Sequence, residues 1–340
     1  MISETVKIGV VGVGHLGRLH ALQLKQVPQA ELVGIYDINP ARAREVGEEA
    51  GGTVFPDFQE LLTRVEALSI VTPTTTHYQY AREALLADKH VFIEKPMTES
   101  LAEADELLEI ASQRKRLIQI GHIERFNPAI LAVESLPINP LFIEAHRMAN
   151  FNPRGTEVAV VLDLMIHDID LILSFVNSPI KSVDASGVSI ISGSEDIANC
   201  RMQFENGCVA NVTASRISTR KMRKMRFFQP NAYISVDFLE GFAEVYYLNG
   251  DDIRLAEPGL TFSLGKFEKG EKRKEIRYAR LEKKDVNPLR LELEHFCHAI
   301  LTDTLPPVTG EDGRRALYVA ELILESIEEH LRIVQQHWKL

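Results

Sequence analysis

Cysteine is scarce in this sequence: Cys200, Cys208 and Cys297 are odd in number, lie outside any paired pattern and lack C-x-x-C spacing. That excludes a disulfide scaffold and suggests no metal site. Positive charge is in the minority, with 38 Lys and Arg against 48 Asp and Glu, and the net charge of -10 argues against a nucleic-acid surface. No run approaches the ~18 to 20 apolar residues of a membrane span. The opening MISETVKIGVVGVG has no basic n-region leading to a small-residue cleavage site, and glycine breaks its apolar run at strand length. No repeat, low-complexity segment or Gly/Ser-rich linker is found. The expectation is a soluble, cytoplasmic protein with neither nucleic-acid nor membrane partners.

What is present is a globular composition, 45% hydrophobic and 25% charged. Its 340 residues exceed what one core usually holds, so two domains are expected.

The first half alternates strands with helices. Val6 to Val11 is a β-branched run that enters Gly12-Val13-Gly14-His15-Leu16-Gly17 and then a helical pattern, which reads as strand, G-x-G-x-x-G turn, helix. The first glycine permits the tight turn, the second lets backbone approach a pyrophosphate, and the third lets helix pack on strand. The glycines alone are weak evidence, since an ordinary turn gives the same letters. A second strand, Glu31 to Asp37, closes on an acid at the distance a βαβ unit requires. Asp37 suits a ribose diol and repels a 2′-phosphate, so NAD is favoured over NADP. Arg42 and Arg44 lie close by, and their reading as solvated positions on the next helix is preferred.

ALSIVTP (Ala67 to Pro73), HVFIEKP (His90 to Pro96) and LIQIGHI (Leu117 to Ile123) continue the strands, with amphipathic helices between them. Such alternation predicts a Rossmann-type, doubly wound parallel sheet over residues 1-123, followed by a second domain over 124-340. Open parallel sheets bind ligand beyond the carboxyl ends of their strands. That rule aims Thr72 to Thr76 at a cofactor crevice and makes Lys95, at an abrupt strand end, the first catalytic candidate. The plainer role of Thr76 and His77 is to start a helix.

In the second half, VLDLMIHDIDLILSFV (Val161 to Val176) reads as a helix apolar on most sides. Asp163, His167, Asp170 and Ser174 fall on one stripe of it, with Asp168 pointing elsewhere. A lone histidine reads as a satisfied core residue. Within this stripe, Asp163 can instead fix the tautomer of His167 and raise its basicity. Later segments turn to strand periodicity, with a hairpin at Glu205-Asn206-Gly207. The expected second domain is α+β, built on a large, mainly antiparallel sheet whose open face pairs subunits. Arg216 to Arg226 is a basic run for which a charged strand face is preferred over a phosphate site.

Taken together, these residues resemble the glucose-fructose oxidoreductase, inositol dehydrogenase and MocA family of NAD(P)-dependent sugar and polyol dehydrogenases. The resemblance covers essentially the whole chain. It rests on Gly12, Gly14 and Gly17, Thr72-Pro73 with His77, Glu94-Lys95-Pro96, Asp163 with His167, and VTGEDG from Val308 to Gly313. It implies Lys95, Asp163 and His167 as the catalytic set. It further implies cofactor contacts at Gly12, Gly14, His15, Leu16, Gly17, Asp37, Thr72, Pro73, His77, Glu94 and Lys95. A cis bond before Pro96 and a homodimer or homotetramer formed through the open sheet also follow from the resemblance.

Within the family, GHIERFNPA, HRMANFNPRGTEVAVVLDLMIHDIDL and RKMRKMRFFQP are most similar to dehydrogenases acting on C3 of UDP-N-acetylglucosamine, which precede an aminotransferase on the route to 2,3-diamino sugars, including those of some lipid A molecules. That similarity adds Arg125, Asn127, His146, Arg147 and Arg154 to Lys95, Asp163 and His167 as substrate contacts. The alternatives are a dehydrogenase of an inositol or free sugar, a glycosidase using tightly held NAD, and a non-enzymatic dinucleotide-sensing regulator. The joint presence of Lys95, Asp163 and His167 argues against the last.

Overall fold

The structure is a computed structural model that describes residues 5–152, 158–248, 261–269 and 272–337. The chain divides into two compact units, Met1–Ile123 with Asn287–Leu317, and Glu124–Val286 with Tyr318–Leu340.

In the first unit the order is β1 (Val6–Val11), α1 (His15–Leu24), β2 (Ala30–Tyr36), α2 (Pro40–Ala50), β3 (Thr53–Val54), α3 (Phe58–Leu62), β4 (Ala67–Ile70), α4 (His77–Leu86), β5 (His90–Glu94), α5 (Leu101–Arg114) and β6 (Ile118–Gly121). The six strands lie in the order β3-β2-β1-β4-β5-β6, and every neighbouring pair is parallel. Helices cover both faces of such a sheet, so its central strands are apolar throughout. All four residues of β4 are accordingly buried. Helix starts follow local chemistry: Asn39 caps α2 ahead of Pro40, and Ser100 with Glu103 forms a capping box on α5. The strand order reverses between β1 and β4, which opens a crevice at their carboxyl ends.

The second unit begins with a short helix, α6 (Pro128–Leu131), then β7 (Phe142–Met148) and a π-helical turn, Val161–Met165, that runs into α7 (Ile166–Phe175). Strands β8 (Ile180–Val188), β9 (Ile197–Phe204), β10 (Val209–Ser215), β11 (Met222–Gln229), β12 (Ala232–Asp237), β13 (Phe242–Leu248), β14 (Thr261–Lys269) and β15 (Lys272–Glu282) follow. With β7 they form one nine-stranded sheet, β14-β15-β13-β12-β11-β7-β10-β9-β8. β7 and β10 pair in parallel and the other neighbours are antiparallel. Gly207, at φ +88°, makes the β9–β10 hairpin that Asn206-Gly207 predicts.

The two faces of this sheet differ. Ile143, Ala145 and Arg147 of β7 are buried, and Arg147 bonds to Asp168 of α7, so this face carries the helix. Phe142, Glu144 and His146 alternate onto the opposite face. There, six aromatic rings run across six strands, Phe142, Phe228, Tyr233, Tyr246, Tyr278 and Phe262, with successive centroids 5.0 to 5.5 Å apart.

The expected division left residues 287–317 in the second domain, whereas α8 (Pro288–Thr302) is part of the first unit. Its Leu293, Phe296 and Cys297 join the core formed by Val6, Ile8, Ala21, Leu24 and Phe92. Phe296 meets Phe92 edge-on at 5.9 Å. The cause is burial: the apolar stripe of α8 covers sheet and α1 side chains that would otherwise face water. Helix α9 (Gly310–His337) starts in the first unit, and Tyr318 onward is counted with the second.

Candidate active site

The glycine turn after β1 is shaped for backbone approach. Gly12 has φ +81°, and a side chain there would meet Thr72 Cγ2 at 2.7 Å. At Gly17 an added Cβ would lie 1.8 Å from the Gly12 carbonyl oxygen, so helix and turn pack too closely for any other residue. Nothing lies within 4 Å of the corresponding position on Gly14. The amino end of α1 has no side-chain cap, which leaves its N–H groups for an anion. His15 and Leu16 are exposed on this turn. These features fit a dinucleotide pyrophosphate.

Asp37, just past β2, accepts the Val13 N–H at 2.7 Å and the Asn39 N–H at 2.8 Å. Those bonds fix its carboxylate beside the glycine turn, where a ribose would be read. Arg42, expected to be solvated, instead reaches back to this turn and donates to the Val13 carbonyl at 2.8 Å and the Gly14 carbonyl at 3.3 Å. Arg44 bonds only within its own helix, at the Pro40 carbonyl.

At the ends of β4 and β5, two loops are tied together by His77. This residue is 1% exposed, with one ring nitrogen 2.9 Å from the Pro96 carbonyl oxygen and the other 2.8 Å from that of Thr72. Burial lowers its pKa against the pull of those carbonyls and of Glu94. His77, expected to touch the cofactor, thus sits between the two loops with each ring nitrogen facing a carbonyl, and the neutral imidazole donates to one of them. Thr76 Oγ lies 2.8 Å from Thr72 Oγ, completing the turn.

Glu94 ends β5 with its carboxylate 3.1 Å from His20 Nε2, and His20 Nδ1 lies 2.9 Å from Ser69 Oγ. Burial raises the Glu94 carboxyl, but the His20 bond and nearby positive charge outweigh it and the net shift is downward. A Cβ at position 121 would come within 2.8 Å of Glu94 Oε1, so a side chain there would displace this carboxylate. Lys95 follows, half-buried, on a cis peptide to Pro96. Its position at a central strand end of the parallel sheet is where that fold places chemistry.

In the second unit, Asp163 lies in the π-helical turn and His167 in the first turn of α7, both half-buried. Single π turns inside helices are commonly functional, because the extra residue re-aims side chains. The expected polar stripe does not continue along α7. Asp170 is 1% exposed and takes both Arg125 Nε at 2.6 Å and Nη2 at 2.8 Å, while Ser174 is exposed and donates to the Leu171 carbonyl.

Several expected substrate contacts are otherwise committed. Arg147, 2% exposed, donates to both Asp168 oxygens at 2.8 and 2.9 Å and to Glu124 at 2.7 Å. Burial opposes its charge, but the two carboxylates raise its pKa. The guanidinium is therefore a permanent cation, and three of its five N–H donors are engaged by these two carboxylates. Arg125 is held by Asp170. Asn127 caps α6 through Oδ1 and donates to Glu124 at 3.0 Å and the Phe238 carbonyl at 3.2 Å. His146 is on the aromatic face of the sheet, opposite the face that carries α7 and His167. Arg154 lies outside the described residues.

One arginine was passed over. Arg223 of β11 alternates with buried Met225 and Phe227, so it faces α7, and it pairs in register with Arg147. That alternation was readable in RKMRKMRFF.

Residues 6–122 match the family model described as an oxidoreductase family with an NAD-binding Rossmann fold, and residues 141–234 match the GFO/IDH/MocA C-terminal domain. The chain is 37% identical over 328 residues to the UDP-N-acetylglucosamine 3-dehydrogenase of Acidithiobacillus ferrooxidans, covering 96% of this chain and 99% of that one. It is 26% identical to the myo-inositol 2-dehydrogenase of Thermotoga maritima over 95% of this chain and 97% of that one. The solved Acidithiobacillus enzyme superposes with a TM-score of 0.83, at 36% identity, over 96% of this chain and 98% of that chain. A levoglucosan dehydrogenase in complex with NADH and levoglucosan shares the fold, with a TM-score of 0.80 at 16% identity over 96% and 98% of the two chains.

Proposed function

This chain belongs to the Gfo/Idh/MocA family of NAD-binding oxidoreductases, and we propose that it oxidises the C3 hydroxyl of UDP-N-acetylglucosamine to a ketone. The observation that carries the substrate is the end-to-end similarity to the Acidithiobacillus enzyme, which includes the substrate-side half of the chain.

NAD, when bound, supplies the hydride acceptor. Gly12, Gly14 and the open amino end of α1 take its pyrophosphate, and Asp37 takes the ribose diol. His167 receives the proton of the reacting hydroxyl as general base. Asp163 holds the imidazole tautomer and offsets its growing positive charge. Lys95 stabilises alkoxide character on the reacting oxygen, the role of a preorganised cation. The ketone formed is a substrate for a transaminating enzyme, which fits a place ahead of amino-sugar formation, including the diamino sugars of lipid A.

The protein works in the cytoplasm as a homodimer or homotetramer. The six-ring aromatic row on the open sheet face supports the assembly, since so much flat aromatic surface favours a partner. The three cysteines are buried and unpaired, as suits a reducing compartment.

The test is absorbance at the reduced-nicotinamide band after mixing protein, NAD and sugar, with an aminotransferase and glutamate to draw off the ketone. NADH formation with UDP-N-acetylglucosamine and none with N-acetylglucosamine or myo-inositol is the expected result. Turnover of myo-inositol alone would overturn the reading.

A further inference from the structure

Two arginines stand side by side on the helix-bearing face of the second unit, and the structure treats them unequally. Arg147 of β7 and Arg223 of β11 are register partners. Two carboxylates lie near them, Glu124 and Asp168. Arg147 takes both Asp168 oxygens and Oε1 of Glu124 at 2.7 Å, while Oε2 of Glu124 accepts from Asn127. Arg223 is left with one approach, 3.6 Å from Glu124 Oε1, beyond hydrogen-bonding range. Among the described residues, no acceptor is within bonding distance of its guanidinium. Its side chain is 42% exposed against 2% for Arg147.

The position of Arg223 relates it to the proposed chemistry. Arg223 is the second residue of β11 and Arg147 the last but one of β7, so both mark the sheet end from which the chain leaves toward the π turn and Asp163. The carboxylate that Arg147 holds belongs to Asp168, the residue after His167. Arg223 is thus one side chain removed from the ion pair that fixes the proposed base.

We propose that Arg223 is a substrate-specificity residue that binds a diphosphate oxygen of the nucleotide sugar. This rests on the substrate reading above and names one of its contacts. An arginine fork matches phosphate oxygens better than a lysine, and an anion would complete the bonding that Glu124 gives to Arg147 instead. Burial and the positive charge of Arg147 both lower the Arg223 pKa, and the negative charge of a bound anion acts in the opposite direction. Arg147, 2% exposed and already holding Asp168 and Glu124, is the less accessible of the two for this role.

The experiment compares Arg223→Met and Arg223→Lys with the wild type in full-length protein. It measures kcat, KM for UDP-N-acetylglucosamine, the inhibition constant of UDP, and UDP binding by calorimetry. Loss of one charge-assisted hydrogen bond to phosphate predicts a rise of about 10- to 100-fold in KM and in the UDP constants for Arg223→Met. Turnover should stay within about threefold and the KM for NAD unchanged, because the cofactor's pyrophosphate is held in the other unit. Arg223→Lys should recover part of the loss, which a merely structural role would not show.

Wild-type turnover of the sugar with UDP binding indifferent to both variants overturns the anion site and leaves the substrate reading standing. Wild-type UDP binding that Arg223→Met weakens, without turnover of the sugar, supports the anion site and sinks the substrate reading. Equal weakening of UDP and NAD binding by Arg223→Met would mark a general structural defect and overturn the proposal.

Discussion

Arg147 and Asp168 form a two-pronged ion pair, at 2.8 and 2.9 Å, with both side chains 2% exposed. It joins the central strand β7 to α7 one residue past His167. Removing one partner of such a pair strands the other charge in low dielectric. Arg147→Met leaves Asp168 without its bonded cation and Glu124 with only the more distant Arg223, so the expected loss of stability is about 3–5 kcal/mol. Urea unfolding checks it. A loss below ~1 kcal/mol would show that water reaches these carboxylates.

Lys95→Met should lower kcat at least ~100-fold, the usual scale for removal of an oxyanion or acid–base group. NAD affinity, measured by fluorescence titration, should change little, because the cofactor's phosphates and ribose are held by the glycine turn and Asp37. Near-normal turnover would remove Lys95 from the chemistry.

Asp37→Ala removes the carboxylate that a 2′-phosphate must meet. The ratio of kcat/KM for NADP to that for NAD should rise at least ~10-fold, a modest fraction of the repulsion between two charges at close range. Some loss of stability accompanies it, since Asp37 also holds the Val13 and Asn39 N–H groups. An unchanged ratio would place the ribose elsewhere.

His90, the first residue of β5, accepts the Leu117 N–H at 3.0 Å and lies 3.2 Å from Arg116 Nη1. Burial, then the charge of Arg116, pushes its pKa down to about 4. In the unfolded chain an imidazole titrates near ~6.5. Between those values the unfolded state binds a proton that the folded state refuses, so this contribution is full above pH ~6.5 and is lost as pH falls toward 4. Melting temperatures over that range should fall, and less steeply in His90→Gln. An equal slope in the variant would assign the effect to other groups.

The parallel sheet was legible because its signals are local. Strand, glycine turn, helix and acid follow one another within Val6 to Asp37, and periodicity does the rest. Helix α8 was misplaced because its burial partners, such as Val6 and Phe92, lie hundreds of residues upstream, and no short pattern records that contact. The internal ion pairs of the expected substrate arginines were illegible for a related reason. A sequence shows that Arg147 is an arginine but not that Asp168, 21 residues on, and Glu124, 23 residues back, have claimed it. The same holds for Arg125 and Asp170, 45 residues apart. Arg223 was obscured by a preference for reading basic runs as solvated faces, although the inward alternation with Met225 and Phe227 was present. The π turn at Val161–Met165 has no sequence signature of its own, so the stripe from Asp163 to Ser174 was drawn with a regular helix that the chain does not form.

The most direct test follows the hydrogen itself. The enzyme is incubated with NAD and UDP-N-acetylglucosamine carrying deuterium at C3, and the reduced cofactor is weighed by mass spectrometry. The account predicts NADH one mass unit heavier than normal and a slowed rate when hydride transfer limits turnover. Unlabelled NADH would mean that oxidation occurs at another carbon, and no NADH from a protein shown to bind NAD would contradict the proposed reaction altogether.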